Sequence, residues 1–121
     1  PSKAGGAPVI VVLQANPEVV NVAGAVRASF VASVSADGKA LVLKPLGDVT
    51  MTAGRALELW AVPAQGAPKS LGLVRADAPT TLLRAQFLHG TAALAVSVEP
   101  AGGSTTGAPT GPIVSVGKVS I

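Results

Sequence analysis

The chain has 121 residues, no cysteine, and nine Lys and Arg against six Asp and Glu, which gives a formal net charge of +3. This length predicts one domain with one core, and the lack of cysteine excludes disulfides and thiolate sites. The basic residues are scattered singly, without the clustering and interleaved aromatics of nucleic-acid binding, so we predict no nucleic-acid partner. No apolar run reaches the roughly 18 residues of a membrane span.

The chain opens with PSKAGGAP, residues 1–8, which we predict to be a flexible linker, and residues 9–121 are predicted to form a single domain. The run VIVVLQ (9–14) has no polar alternation, which predicts a strand covered on both faces. Because the chain begins with Pro rather than Met, we expect it to be part of a longer product.

A hairpin is the sharpest local prediction. In AVRASFVASVS (25–35) apolar residues alternate with polar ones, which predicts a strand whose core face carries Val26, Ala28, Phe30, Ala32 and Val34. The dipeptide Asp37-Gly38 predicts a two-residue type I′ turn. The return strand is predicted over 39–46, with its inner face formed by Leu41 and Leu43.

Further strands are predicted at 56–62, 70–75, 80–87, 91–98 and 113–121, with a short extended piece near 49–51. In ALELWAV (56–62) the residues Leu57, Leu59 and Ala61 share one face. Glu58, Trp60 and Val62 share the other face, which must hold a carboxylate beside an indole, and the pattern leaves open which face is turned to the core. In a chain with so few large side chains, Trp60 is predicted to be the central packing anchor.

The strand spacing predicts the fold class. Seven or eight short strands, separated by Gly and Pro turns and without any helical period, predict an all-β antiparallel sandwich of the immunoglobulin-like type. A closed barrel is the alternative, and the uneven loop lengths favour the sandwich.

The sequence offers no catalytic constellation. The single histidine, His89, lies in a predicted turn without a neighbouring acid, so it is expected to be a surface residue rather than part of a triad. One His without Cys excludes a zinc site, and GGSTTG (102–107) lacks the Lys and the following helix of a phosphate-binding loop. Glu58 and Glu99 are the carboxylates of interest because each lies in or at the end of an apolar strand. We predict that each carboxylate is held by hydrogen bonds or points to solvent. We predict no catalytic residue, metal or cofactor.

Two long stretches carry a resemblance. They are ALELWAVPAQGAPKSLGLV (56–74) and LAVSVEPAGGSTTGAPTGPIVSVGKV (94–119), and together they closely resemble the paired signatures of the extracytoplasmic domain in the anti-sigma-K factor family. Leu57 stands where that family usually has an aromatic. The signature residues to which we assign a structural role are Glu58, Trp60, Ser70, Gly72, Glu99, Pro100, Gly102, Gly103, Pro109, Gly111 and Pro112.

The resemblance implies a non-enzymatic regulatory role. It implies the extracytoplasmic, periplasmic side of a single-pass inner-membrane protein, whose cytoplasmic domain and membrane span are absent from this sequence. The implied partners are a sigma factor, bound through that absent domain, the membrane, and a site-specific protease that controls release of the sigma factor. The alternative is a secreted adhesion or ligand-binding sandwich. The oligomeric state is left open.

The segment 99–112 raises a separate question, because it is long and consists almost entirely of small residues. Pro100 lacks an N–H, so the strand is expected to stop after Val98, and Gly102-Gly103 permit a positive φ. We expect the Glu99 carboxylate to accept hydrogen bonds from the N–H groups of 102–104 and so to fix the loop. The alternative is a docking surface for a partner or protease.

Overall fold

A computed structural model of the chain describes residues 8–16, 28–47, 54–83 and 89–119. The predictions for the linker at 1–7, for Val26, for the extended piece near 49–51 and for the end of the 80–87 strand lie outside these residues. The strands are β1 (Val9–Ala15), β2 (Ser29–Val34), β3 (Ala40–Leu46), β4 (Arg55–Pro63), β5 (Lys69–Val74), β6 (Thr80–Leu83), β7 (Thr91–Pro100) and β8 (Ile113–Lys118).

The eight strands pair in the order β5-β4-β7-β8-β1-β2-β3-β6, and every pair is antiparallel. The all-β antiparallel prediction is therefore confirmed. β1 joins two halves of the sheet, β5-β4-β7-β8 and β2-β3-β6. Its residues 9–13 pair with β2, whereas Gln14 and Ala15 pair with β8. The immunoglobulin-like sandwich stays a prediction, since the hydrogen-bonded order is continuous rather than split into two sheets.

The sheet curves into a nearly barrel-like shape. The strands at the two ends of the order, β5 and β6, follow one another in the chain and are joined by residues 75–79 alone. So short a connection forces the ends of the sheet to approach each other. The Arg75 N–H closes this connection by donating to the Thr80 hydroxyl at 2.8 Å.

The core lies on the concave side of the sheet and consists of alternate apolar residues. The predicted parity of β2 and β3 is confirmed, and on β4, where the sequence left the core face open, the face of Leu57 and Leu59 lies in the core. The buried members from these strands and from β1, β7 and β8 include Val11, Leu13, Phe30, Ala32, Val34, Leu41, Leu43, Leu57, Leu59, Leu94, Val96, Val98 and Val114. Burial of this set is the main stabilising contribution, at roughly 25 cal/mol per Å² of apolar surface removed from water.

The prediction that β1 is covered on both faces is wrong. Val11 and Leu13 are buried, but Ile10 is 58% exposed and Val12 is 51% exposed. An apolar run does not reveal which of its faces is covered, because that depends on the neighbouring strands.

The predicted hairpin between β2 and β3 is confirmed, but its turn is longer than predicted. The Ser35 N–H bonds the Ala40 carbonyl, which leaves residues 36–39 as the loop instead of Asp37-Gly38 alone. Gly38 has a φ of 76°, and the Asp37 carboxylate accepts bonds from the Ser35 hydroxyl and the Lys39 N–H. These two side-chain bonds stabilise the longer loop, and they lower the pKa of Asp37.

Candidate functional site

The outer face of β4 and β7 is polar, yet it is buried. Glu58 and Trp60 on β4 point away from the core, as do Ser97 and Glu99 on β7, because Glu58 is directly opposite Ser97 in the ladder. Trp60, Ser97 and Glu99 have no exposed surface, and Glu58 is 7% exposed. Residues 101–112, which we call the anchored loop, lie over this face and bond to it.

Glu99 holds the returning end of the anchored loop. Both of its carboxylate oxygens accept the Thr110 N–H at 3.1 Å, and Oε2 also accepts the Gly111 N–H at 3.3 Å. The hydroxyls of Thr110 and Ser97 donate to the same carboxylate. Burial raises the pKa of Glu99, but these hydrogen bonds outweigh burial and leave the pKa below its usual value. The carboxylate is thus held in its charged form.

Ser97 connects Glu99 to the tryptophan. The Trp60 indole Nε1–H donates to Ser97 Oγ at 2.8 Å, and that hydroxyl donates in turn to Glu99 Oε2 at 2.5 Å. Trp60 is buried as predicted, but it does not belong to the apolar core cluster. It packs on the outer face, where it is the largest fully buried side chain of the described residues, so it anchors the packing of this face and not of the core cluster. Its indole N–H requires a buried acceptor, which the core side of β4 does not offer.

Glu58 holds the outgoing end of the anchored loop. Its Oε1 accepts the Ser104 N–H at 2.8 Å, and its Oε2 accepts the hydroxyl of Ser70 on β5. The register of β4 and β5 shifts beside Leu59, and Gly72 has a φ of 130° at this irregularity. The expectation that Glu99 bonds the N–H groups of 102–104 is wrong, because Glu58 takes this end of the loop and Glu99 takes the other.

β7 runs further than predicted. It continues to Pro100, which pairs with Arg55, whereas we expected the strand to stop after Val98. The missing N–H is tolerated because Pro100 is the last residue of the strand, and its carbonyl accepts the Gly103 N–H at 2.8 Å. The positive φ predicted for the glycine pair is confirmed at 92° for Gly102 and 99° for Gly103.

The return of the anchored loop crosses β7 at very close range. A Cβ on Gly111 would lie 1.7 Å from the Val98 carbonyl oxygen, so only glycine fits. The next residue, Pro112, accepts the Val98 N–H through its carbonyl at 3.0 Å. The loop backbone is thereby joined to the strand beneath it.

The tip of the anchored loop is fixed by its own hydroxyls. The Ser104 hydroxyl donates to the Ala108 carbonyl and accepts the Thr106 N–H at 3.2 Å. The Thr106 hydroxyl donates to the same carbonyl at 3.1 Å. Pro109 follows this turn and is half-buried. A loop of this composition is ordered because side-chain hydroxyls replace the absent ladder bonds.

The described residues hold no candidate metal centre. No group of three or more His, Asp or Glu in them could ligate a metal ion, and His89 is exposed as predicted. The ion pair between Arg75 and Asp77 is exposed, and it lowers the pKa of Asp77. No helix in these ranges has the length and apolar character needed to cross a membrane.

Sequence reasoning assigned no role to Ser97 and Thr110, and it assigned the Ser104 N–H to Glu99 rather than to Glu58. Ser97, Ser104 and Thr110 complete the contacts of the two glutamates. Ser97 could have been found, because it shares strand parity with Glu99 and is the one hydroxyl in the interior of β7. No such signal identifies Ser104 and Thr110 in the loop, since their contacts depend on how the loop folds back.

The fold and the site define a class of protein: a small all-β domain in which a long loop, 101–112, is bound to the sheet by two buried carboxylates. A comparison with known protein families matches residues 1–113 to the family described as "Anti-sigma-K factor rskA, C-terminal". The chain belongs to this family, as its two signature stretches predicted, and the match includes the first 50 residues that those stretches do not cover. Neither a curated protein nor a solved structure matches the chain.

Membership settles the broad role. The family consists of anti-sigma factors, which are regulatory rather than enzymatic, and this implies a sigma factor as a partner. The chain corresponds to the C-terminal part of such a factor.

Proposed function

We propose that this chain is the extracytoplasmic domain of a membrane-anchored anti-sigma factor, and that it controls release of the sigma factor by regulating the access of a protease. The proposal is supported by the family match over residues 1–113. The sigma-binding and membrane-spanning parts would belong to other segments of the full-length protein. In this division of roles, the β-domain receives the signal and contributes no inhibitory contact of its own.

The anchored loop is the observation that carries the gating part of the proposal. A protease must draw about ten residues of extended chain into its cleft, so folded and hydrogen-bonded segments resist cleavage until they open locally. Residues 101–112 are fixed at one end by Glu58, at the other by Glu99, and at the tip by their own hydroxyls. Release of these bonds would free the one long connection over this face of the sheet.

Topology mapping tests the placement. Cells that express the full-length protein are fractionated and probed with an antibody to this domain, before and after protease is added from outside. The expected result is a membrane-bound chain longer than 121 residues whose β-domain is degraded only from the outer side. A freely exported chain of about this size would contradict the proposal and support a secreted sandwich.

A further inference from the structure

The outward-facing residues of β1, β2, β3, β6 and β8 form a surface that we call the aliphatic face. Six large hydrophobic residues are exposed in the described part of the chain, and five of them lie on this face: Ile10, Val12, Leu46, Leu83 and Val116. The ladder places Val116 beside β1, since Gln14, which has the same parity as Ile10 and Val12, is paired with Val116. Val12 is opposite Val31, which is opposite Lys44, whereas Leu83 on β6 lies four strands from β8 in the sheet order. Residues Val31 and Val42 fill the space between them and are half-buried.

The charges on the aliphatic face have a single sign. Among its described strand residues, Lys44 and Lys118 are exposed, and none is Asp or Glu. The nearest acid is Asp77 in the connection between β5 and β6, which lines a pocket with Lys44 and is paired with Arg75. The opposite outer face, on β4 and β7, is covered by the anchored loop and contains both buried glutamates. The domain therefore has one closed outer face and one that is open, apolar and basic. Monomeric domains seldom leave such a surface without an interaction partner.

We propose that the aliphatic face rests on an anionic lipid bilayer. Branched aliphatic side chains such as Ile10 and Val12 would enter the headgroup region. Lys44 and Lys118 would extend their stems and reach the lipid phosphates. The proposal rests on the membrane anchoring proposed above, because the anchor places the domain beside the bilayer, within reach of the lipid headgroups.

Two other occupants fit less well. A second copy of the chain would pair through the same surface, so the lysines of both copies would be brought into one interface. A protein partner is usually bound through Trp, Tyr or Arg anchors, and the described residues of this face include none of these. The combination of aliphatic residues and lysine, without acids or aromatic anchors, favours lipid.

Vesicle co-sedimentation of the 121-residue chain tests the proposal. Vesicles of phosphatidylcholine alone are compared with vesicles of phosphatidylcholine mixed with phosphatidylglycerol. We expect sedimentation with the anionic vesicles. The double variant Ile10→Ser/Val12→Ser should weaken this binding on the order of tenfold, and Lys44→Gln and Lys118→Gln should each weaken it roughly fivefold. These side chains are exposed, so circular dichroism should show an unchanged fold.

Matched controls lie outside the aliphatic face. Leu73 is the sixth exposed hydrophobic residue, and Lys69 is an exposed lysine on the same strand, β5. Leu73→Ser and Lys69→Gln should bind as the unaltered chain does. An equal loss in these controls, or binding to neither kind of vesicle, would overturn the proposal. A concentration-dependent dimer that Ile10→Ser/Val12→Ser dissolves, without vesicle binding, would assign the face to a second copy instead.

The result of the vesicle experiment can be distinguished from the result of the topology mapping that tests the proposed function. A domain that maps to the outer side of the membrane but ignores vesicles overturns only the lipid contact. A domain that binds vesicles but maps elsewhere in the cell overturns the placement.

Discussion

Glu58 and Glu99 are buried carboxylates that bind the anchored loop by accepting hydrogen bonds from uncharged donors. In the ranges that the structure describes, neither forms a salt bridge, and their partners are backbone N–H groups and hydroxyls. A buried charge is tolerated when several hydrogen bonds replace its hydration. Burial of each carboxylate therefore opposes folding unless its donors stay in place, and this requirement constrains the position of the loop.

Glu99→Gln should destabilise the domain. Both carboxylate oxygens accept the Thr110 N–H, so the amide nitrogen of Gln would lie against this donor whichever oxygen it replaces, and one acceptor of the loop would be lost. We expect a loss of about 1–3 kcal/mol in the free energy of unfolding, measured by urea denaturation and followed through the fluorescence of Trp60. An unchanged free energy would contradict the anchoring role of Glu99.

Asp77→Asn is the matched control. It removes one carboxylate in the same way, but from an exposed ion pair with Arg75. Exposed pairs contribute little to stability, so this variant should unfold at the same denaturant concentration as the unaltered chain. An equal loss in both variants would mean that carboxylate removal alone, and not the anchor, causes the effect.

The stability of the domain should fall in acid through Glu99. Its pKa lies below the ordinary value of 4.5, because the bonds from Ser97, Thr110 and Gly111 outweigh burial. A carboxyl whose folded pKa is lowered stabilises the fold above its unfolded pKa, and that contribution is lost as pH falls through the folded pKa. Unfolding curves from about pH 7 to about pH 3 should therefore converge for the unaltered chain and Glu99→Gln. A constant gap between them would contradict this account.

At the level of single residues, strand parity was the reliable signal. It grouped Leu57 with Leu59 on one face of β4 and Glu58 with Trp60 on the other, as observed, but it left open which of the two faces is turned to the core. Strand parity could not identify the donors to Glu99, because Thr110 lies 11 residues after Glu99, in a loop without periodicity. Nor did it show that the outer face of β4 and β7 would be buried.

The anchored loop behaves as a structural element of its own. It leaves β7 through the Gly102-Gly103 pair, bonds Glu58, turns on its own hydroxyls, and returns across Val98. Its order therefore depends on a few contacts at its ends rather than on a ladder. Such elements open locally at a lower free energy than the strands beneath them.

Gly111→Ala should disrupt the element at its return. The added methyl would overlap the Val98 carbonyl oxygen, which is backbone and cannot move aside without breaking the bond between Val98 N–H and Pro112. We expect a loss of more than about 3 kcal/mol in unfolding free energy.

Gly107→Ala is the control within the same loop. Its Cβ would meet nothing within 4 Å, so only the positive φ of 81° opposes it, and we expect a loss of about 1 kcal/mol. Equal losses at the two glycines would mean that the close crossing of β7 does not matter.

The elements were predictable where local chemistry decides them. The β2–β3 hairpin and the positive φ of Gly102-Gly103 followed from residue type alone. The end of β7 did not, because the tolerance of Pro100 depends on its being the last paired residue. The exposure of Ile10 could not be predicted from residue type either, because this exposure depends on which neighbouring elements cover β1.

At the scale of the whole molecule, the two outer surfaces differ. The face of β4 and β7 is closed by the anchored loop, and the face around β1 is open and apolar. Two of the six acids are buried within the closed side. The accessible surface is therefore more basic than the formal net charge of +3 suggests.

The strand count and the antiparallel class could be predicted, but the strand order could not. Neighbours such as β4 and β7, or β8 and β1, are far apart in the sequence, and no local signal specifies them. Local patterns define strands, whereas long-range pairing depends on how complete faces fit together. The family signatures gave the broad role because two unusual stretches occur together, although neither contains a catalytic group.

The central claim is that the anchored loop gates proteolysis, and one measurement tests it most directly. Cells expressing the full-length protein with Glu99→Gln or Asp77→Asn carry a reporter that depends on the cognate sigma factor, and the cleavage of each chain is followed by immunoblot. The account predicts that Glu99→Gln is cleaved faster and raises the reporter without a signal, whereas Asp77→Asn matches the unaltered protein. A Glu99→Gln chain that is less stable in vitro, yet is cleaved and represses as the unaltered protein does, would contradict it.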